Sequence, residues 1–189
     1  LSLCNKNLEK IPTSTTKHDL LVDVCMAAKY EGDSIKAHYK QYDAEYPSDS
    51  SHTTCTALAR SFADIGDIVR GRDLYSGNKK KEKLEQNLQK IFKEIYDKLN
   101  GAKDYYQDEN GGNYYQLRED WWDANRETVW KAITCAAKVG DTYFRATCSD
   151  SDGRSEYQTQ NQCCCKKKDG TNETDQVPTY FDYVPQYLR

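Results

Sequence analysis

The sequence is short of aliphatic side chains. Leu, Ile, Val and Phe together make 30 of its 189 residues, below the roughly one-fifth at which a highly charged chain is suspected of disorder. Strong net charge, the other half of that criterion, is also missing, since 27 basic against 30 acidic residues leave −3. No apolar run approaches the ~20 residues of a membrane span. No C-x-x-C pair occurs, and His18, His38 and His52 have no ligand spacing, which argues against a structural zinc site. There is no Gly-x-Ser-x-Gly elbow, the carboxylates are dispersed, and no cysteine reads as a free nucleophile, so no hydrolytic constellation stands out.

In place of aliphatics the chain carries fifteen Tyr, three Trp and eight Cys. A lean aliphatic core offset by aromatics and cysteines predicts a disulfide-supported extracellular domain, and argues against an ordinary cytosolic enzyme. The candidate half-cystines are Cys4, Cys25, Cys55, Cys135, Cys148, Cys163, Cys164 and Cys165. Eight cysteines allow 105 connectivities, and the triplet at 163–165 is expected to reach different parts of the fold. The chain opens on Leu1-Ser2-Leu3-Cys4 without an initiator Met and stops at Arg189, shortly after Pro185, where a helix could begin. It reads as an excised piece of a longer protein, with any membrane anchor elsewhere.

Apolar positions recur at the 3.6-residue period in four stretches. The first is Lys17–Glu45, carried by Leu20, Val24, Ala28 and Ile35, with Gly32 as a weak point and Pro47 beyond its end. The second, Thr54–Arg70, has the stripe Leu58, Phe62, Ile65 and Val69, and Gly71 stands where a C-terminal glycine cap belongs. The third covers 79–100, with Leu84, Leu88, Ile91, Phe92 and Ile95 on one side. The fourth covers 115–138, with Trp122, Val129, Trp130 and Ile133. Residues 104–113 read as a polar loop, and 147–177 as an irregular, disulfide-tethered one without a convincing strand pair. The first dozen residues could be extended. The predicted fold is all-α, a disulfide-braced helical bundle with long irregular loops.

Asp150-Ser151-Asp152-Gly153 hints at calcium, but an EF-hand loop would need an acid at Cys148 and a Glu at Thr159. Gly111 and Gly112 follow no strand and precede no phosphate-binding lysine. No metal or cofactor is predicted. Asn172-Glu173-Thr174 matches the glycosylation acceptor pattern and supports an exposed loop. Trp122, Arg126 and Trp130 are four residues apart, which could set Arg126 between two indoles. Core packing is the stronger expectation, because Trp supplies buried area where aliphatics are scarce.

The third helix carries the clearest surface signal. At about 100° per residue, with Lys79 at zero, Lys83 falls near +40°, Lys90 near +20° and Lys93 near −40°, almost opposite the apolar stripe. Residues 70–93 hold Arg70, Arg72, Lys79, Lys80, Lys81, Lys83, Lys90 and Lys93 against three acids, a local +5 that leaves −8 for the rest. Lys79, Lys80 and Lys81 stand at a helix N-terminus, where the macrodipole disfavours cations. These residues, extended by Lys166, Lys167 and Lys168, form a candidate patch for a sulfated polysaccharide. A merely solvated face is the competing reading, supported by Glu94 and Asp97. Nucleic acid is a poor partner for an acidic, disulfide-bonded chain.

Three long motifs occur in order: ALARSFADIGDIVRGRDLY from Ala57 to Tyr75, REDWWDANRETVWKAITC from Arg118 to Cys135, and PTYFDYVPQYLR from Pro178 to Arg189. With CMAAKYEGDSIKAHY from Cys25 and LCNKNLE from Leu3, the chain resembles a Duffy-binding-like domain. The likeness is to the alpha class of erythrocyte membrane protein 1 of the malaria parasite Plasmodium falciparum. The resemblance implies an α-helical fold in three subdomains, with 1–16 ending the first, 17–184 forming the second and 185–189 beginning the third. It implies a non-enzymatic adhesion module, variable in antigenicity, on the outer face of the infected red-cell membrane. The implied partners are host red-cell receptors, heparan sulfate or heparin, complement receptor or blood-group sugars, and antibodies, with no membrane contact by this piece. No receptor-site residues carry over, because they differ among members. The competing expectation is a structural and antigenic scaffold whose receptor contacts lie in the other subdomains.

Overall fold

The structure is a computed structural model that describes residues 8, 17–45, 53–73, 79–107, 111–137, 146–149, 156–159, 162–165 and 176–189. Four helices, α1 (Lys17–Glu45), α2 (Thr54–Arg70), α3 (Lys79–Asp97) and α4 (Tyr115–Thr134), make up its body. They share one core of the apolar stripes read from the sequence, with Leu20, Val24, Leu58, Phe62, Leu88, Phe92, Trp122, Val129 and Trp130 all nearly or fully buried. The aromatics supply the mass that the aliphatics lack. Phe62 lies between two indoles, 5.1 Å from Trp122 and 5.2 Å from Trp130, while Phe92 meets Trp121 edge-on at 6.1 Å. Such tilted and T-shaped pairs add to what the buried area alone contributes.

Local chemistry sets the helix ends. At the start of α2 the Thr53 hydroxyl accepts from the Thr56 amide at 3.2 Å, satisfying one of the N-terminal donors. At its end Gly71 takes φ +73°, and the amides of Gly71 and Arg72 donate to the carbonyls of Ile68 and Asp67, a left-handed glycine cap. The periodicity overran the last two helices. α3 stops at Asp97 and α4 at Thr134, because the following amides bond three residues back: Leu99 to Tyr96, Cys135 to Ala132 and Ala137 to Thr134. The helix tightens there and cannot propagate.

Gly32, a weak point for helix propensity, marks the crossing of α1 and α4. A β-carbon there would lie 2.1 Å from the Ile133 carbonyl oxygen, so only glycine lets the two backbones meet. Gly66 plays a similar part in α2, where a β-carbon would meet the Trp122 ring at 2.8 Å.

One expectation fails in the tethered region. A short antiparallel pair is present, β1 (Ala146–Ser149) with β2 (Glu156–Gln158), with a register irregularity between Ala146 and Cys148. Strands of four and three residues are too short to show a period of two, and a lone hairpin is marginal in water. The Cys148–Cys165 disulfide fastens β1 to the cysteine triplet. The second disulfide, Cys55–Cys163, joins the triplet to the start of α2. The triplet therefore does reach separate parts of the fold. Of the eight candidates, Cys25, Cys135 and Cys164 are free thiols, Cys135 the exposed one. Burial raises the pKa of Cys25 and Cys164 and keeps them protonated. Cys4, the acidic stretch from Asp150 to Gly153 and Asn172 lie outside the described residues.

Residues 176–189 form a strap across α2 and α4. It contains the 3-10 turns Phe181–Tyr183 and Gln186–Leu188, the second starting directly after Pro185.

Candidate functional site

The electrostatics divide the molecule into a buried charged clasp and an exposed basic face. The clasp centres on Asp182, whose side chain is wholly buried. Its carboxylate accepts from Trp122 Nε1 at 2.9 Å and from Arg126 Nε and Nη2 at 2.8 and 2.9 Å. Arg126 Nη2 also donates to the Thr179 carbonyl at 2.9 Å. Burial works against the Arg126 charge, but the bonds to Asp182 outweigh it and raise the pKa. The Arg126 guanidinium lies over Phe62 and Tyr183, at 5.7 and 5.1 Å, rather than between two indoles. The expected core packing of Trp122 and Trp130 is what occurs.

Arg70 belongs to this clasp and not to a glycan surface. It is fully buried, with Nε donating to the Gly66 carbonyl at 3.0 Å and Nη2 to Asp67 Oδ1 at 3.1 Å and to the Asp182 carbonyl. Burial lowers its pKa. Arg70 follows Phe62 and Gly66 at four-residue spacing, a sequence signal that puts it on the core side of α2. Arg118 stands four before Trp122 and carries the same spacing signal. It is buried beneath α3, donating to the Val69 and Ile68 carbonyls at 2.6 and 3.1 Å and gripping Glu85 with both terminal nitrogens, at 2.6 and 2.9 Å. Arg189 closes the strap from the other end by pairing with Asp67.

The exposed face is α3. Lys83, Lys90 and Lys93 all stand on its solvent side, while Leu84, Leu88, Ile91, Phe92 and Ile95 face the core. Among the described residues neither Lys83 nor Lys90 has an ion-pair partner. Lys93 pairs with Asp97 at 2.7 Å and Lys98 with Glu94 at 3.8 Å. The bond to Asp97 raises the Lys93 pKa, and the bond to Lys93 lowers that of Asp97. Arg72, just past the end of α2, is exposed and holds Glu119 of α4 at 2.7 Å. The backbone of Lys79, Lys80 and Lys81 forms the first turn of α3, their side chains being outside the described part, as are Lys166, Lys167 and Lys168 altogether.

Past the end of α3 the chain turns back against Tyr96 and the start of α4. Tyr96 donates from its hydroxyl to the Lys103 carbonyl at 3.3 Å, and the Lys103 ammonium lies over the Tyr96 ring at 5.7 Å. Tyr106 donates to Asp120 Oδ2 on α4 at 2.9 Å, a bond that raises the phenol pKa. Among the described residues no cluster of His, Cys, Asp and Glu could hold a metal ion, and no helix is long and apolar enough to cross a membrane.

These features define a disulfide-braced, all-α domain with a lysine-lined outer helix. The Duffy binding domain family model matches residues 1–189, and the chain belongs to that family. Solved structures agree. The N-terminal NTS-DBL1-alpha and CIDR-gamma double domain of PfEMP1 from the Plasmodium falciparum varO strain is 43% identical, with a TM-score of 0.75, over 98% of this chain and 25% of that one. The NTS-DBL1(alpha-1) domain from the same strain is 42% identical, with a TM-score of 0.72, over 98% of this chain and 39% of that one. The ICAM-1-binding IT4var13 DBLbeta domain is 32% identical, with a TM-score of 0.66, over 99% of this chain and 39% of that one. This chain thus spans well under half of each of these structures. A search of the curated proteins finds no match.

Proposed function

We propose that this domain is a host-cell adhesion module, exposed on the outer face of the infected erythrocyte, whose binding surface is the lysine face of α3. Its family and the ICAM-1-binding DBLbeta relative support the general reading of receptor adhesion. The single observation that supports the surface is the pair Lys83 and Lys90, both exposed on a helix whose opposite side is anchored in the core. Two cations with no ion-pair partner among the described residues, on a helix that continues from Lys79–Lys81, attract a polyanion. An extracellular polyanion of regular charge is a sulfated glycan of the heparan sulfate type. Lysine meets sulfate as a point charge, so binding is mainly electrostatic and falls steeply with salt. Engagement of such a glycan on uninfected red cells would give rosetting.

The test is heparin retention of the wild-type domain against a Lys83→Glu/Lys90→Glu variant of confirmed fold. Loss of retention, with a weaker salt dependence in any residue of binding, is the expected outcome. Equal retention removes the surface from consideration. The second reading, a scaffold whose family supplies receptor contacts from elsewhere, is favoured by one feature: Asp97 and Glu94 already neutralise Lys93 and Lys98. Binding of red cells by this chain alone decides against it.

A further inference from the structure

The cysteine triplet sets two disulfides and a thiol side by side. Cys163 is bonded to Cys55 at the start of α2, Cys165 to Cys148 on β1, and Cys164 between them is a free thiol. The four bonded cysteines are wholly buried, whereas Cys164 is half-buried. Its thiol donates back to the Gln162 carbonyl at 3.3 Å. The backbone is left-handed at Gln162 and Cys163, with φ of 49° and 55°. Neither residue is Gly, Asn or Asp, so each holds a conformation that its β-carbon disfavours. The link to Cys55 is thus anchored on a strained residue, with a free thiol one position away. The α-carbons of Cys55 and Cys163 are 5.4 Å apart, and neighbouring α-carbons are separated by about 3.8 Å. The Cys164 α-carbon therefore lies at most about 9 Å from that of Cys55. A move of less than about 3 Å brings it within the roughly 6.8 Å that a disulfide spans.

We propose that Cys164 is an exchange thiol that gives the triplet two covalent registers, with Cys55 bonded either to Cys163 or to Cys164. The Cys164 thiolate attacks the Cys55 sulfur. The bond from Cys55 to Cys163 breaks, and its electron pair leaves on the Cys163 sulfur, which takes from solvent the proton that Cys164 gave up. One disulfide and one thiol are present before and after, so the step consumes neither oxidant nor reductant. The second register frees Gln162 and Cys163 from the conformation that the present link imposes, and relief of that strain drives it. It also moves the anchor. The two links then sit on the adjacent residues 164 and 165, so the β1–β2 hairpin shifts by one residue relative to α2. Burial raises the pKa of Cys164, against the Thr134 hydrogen bond and the Lys131 charge of α4, which lower it. The thiol is therefore protonated at neutral pH and the present register persists, because the thiolate is the attacking species.

The experiment incubates the folded, oxidised protein in mildly acidic and in alkaline buffer, with no added oxidant or reductant. Each sample is quenched in acidic denaturant and alkylated with N-ethylmaleimide, and the labelled cysteines are located by tandem mass spectrometry. After acid incubation the triplet carries its label on Cys164. After alkaline incubation part of that label is expected on Cys163, with the number of labelled thiols per chain unchanged. The rate of transfer should rise about tenfold per pH unit until the Cys164 thiol is ionised. Gln162→Gly, which takes a positive φ without cost, should hold a smaller share of the second register; an unchanged share overturns strain as the driving force. Label that stays on Cys164 at every pH overturns the exchange. So does label on Cys55, Cys148 or Cys165 in place of Cys163, or a fall in the thiol count, which marks oxidation. Cys164→Ser keeps both disulfides and should leave Cys163 unlabelled throughout; label on Cys163 in that variant assigns the attack to another thiol and overturns the role of Cys164. Circular dichroism of each variant checks the fold.

Discussion

Replacing Asp182 with Ala tests whether the buried clasp holds the strap to the helices. The carboxylate is completely buried and accepts three hydrogen bonds, one from the Trp122 indole and two from Arg126. Removing it strands the indole N–H, a loss of about 1–3 kcal/mol, and leaves the mostly buried Arg126 charge with the Thr179 carbonyl as its remaining hydrogen-bond partner. Breaking one side of a buried pair costs about 3–5 kcal/mol in total. Against a stability of roughly 5–15 kcal/mol for a natural domain, that is a large fraction. In a chain of this size each kcal/mol moves the melting temperature by about 2–4 °C, so Asp182→Ala should melt roughly 6–20 °C lower. Urea denaturation followed by tryptophan fluorescence, with disulfides intact, measures the same loss as a shift in midpoint. A paired change, Asp182→Leu with Arg126→Met, should recover part of it, because no uncompensated charge is then left inside. A loss under about 1 kcal/mol, the value of a surface ion pair, would refute the clasp. A double variant as unstable as the sum of its parts would show that the two residues do not act as a unit.

Gly32→Ala should destabilise by about 1–3 kcal/mol, the usual cost of overpacking, because the added methyl meets the Ile133 carbonyl; an unchanged urea midpoint would show that α1 and α4 can separate without penalty. Replacing Cys55 and Cys163 by Ala opens a link across 108 residues of sequence, and should cost about 2–5 kcal/mol, read from urea unfolding of the oxidised protein. The pKa of Asp64 is raised, first by burial, with Arg189 pulling the other way. The folded carboxyl therefore keeps its proton to higher pH than the unfolded one, whose pKa is about 3.9, and stability falls as pH rises between the two values. Asp64→Asn should lack that decline and gain on wild type across this window, as measured by urea midpoints from acid to neutral pH; a variant that loses stability toward neutral pH would mean that the attraction to Arg189 dominates.

Where periodicity acts, the sequence was sufficient. The stripes of α1 and α2, and the glycine cap at Gly71, predicted both ends of those helices, since propensity, pattern and cap all agree there. It failed at the ends of α3 and α4, where tightened last turns leave no pattern, and at the hairpin, where strands of three and four residues are shorter than a period can reveal. Charged residues misled most. Arg70 counts toward a basic surface in a linear tally, yet its place four after Gly66 puts it inside, where Asp67 and the strap neutralise it. Asp182 lies 56 residues from Arg126, and nothing local relates them.

Taken alone, the sequence determined that this protein is an all-α, disulfide-braced domain with one strongly basic helix. Those properties follow from composition, the 3.6-residue period and the spacing of lysines on a helix face, all of which are local. The tertiary structure decided which charges are surface and which are core, and which cysteines pair. Each of these depends on residues far apart in the chain being brought within a few ångströms, and on burial, which converts an arginine from a solvated cation into a buried structural link.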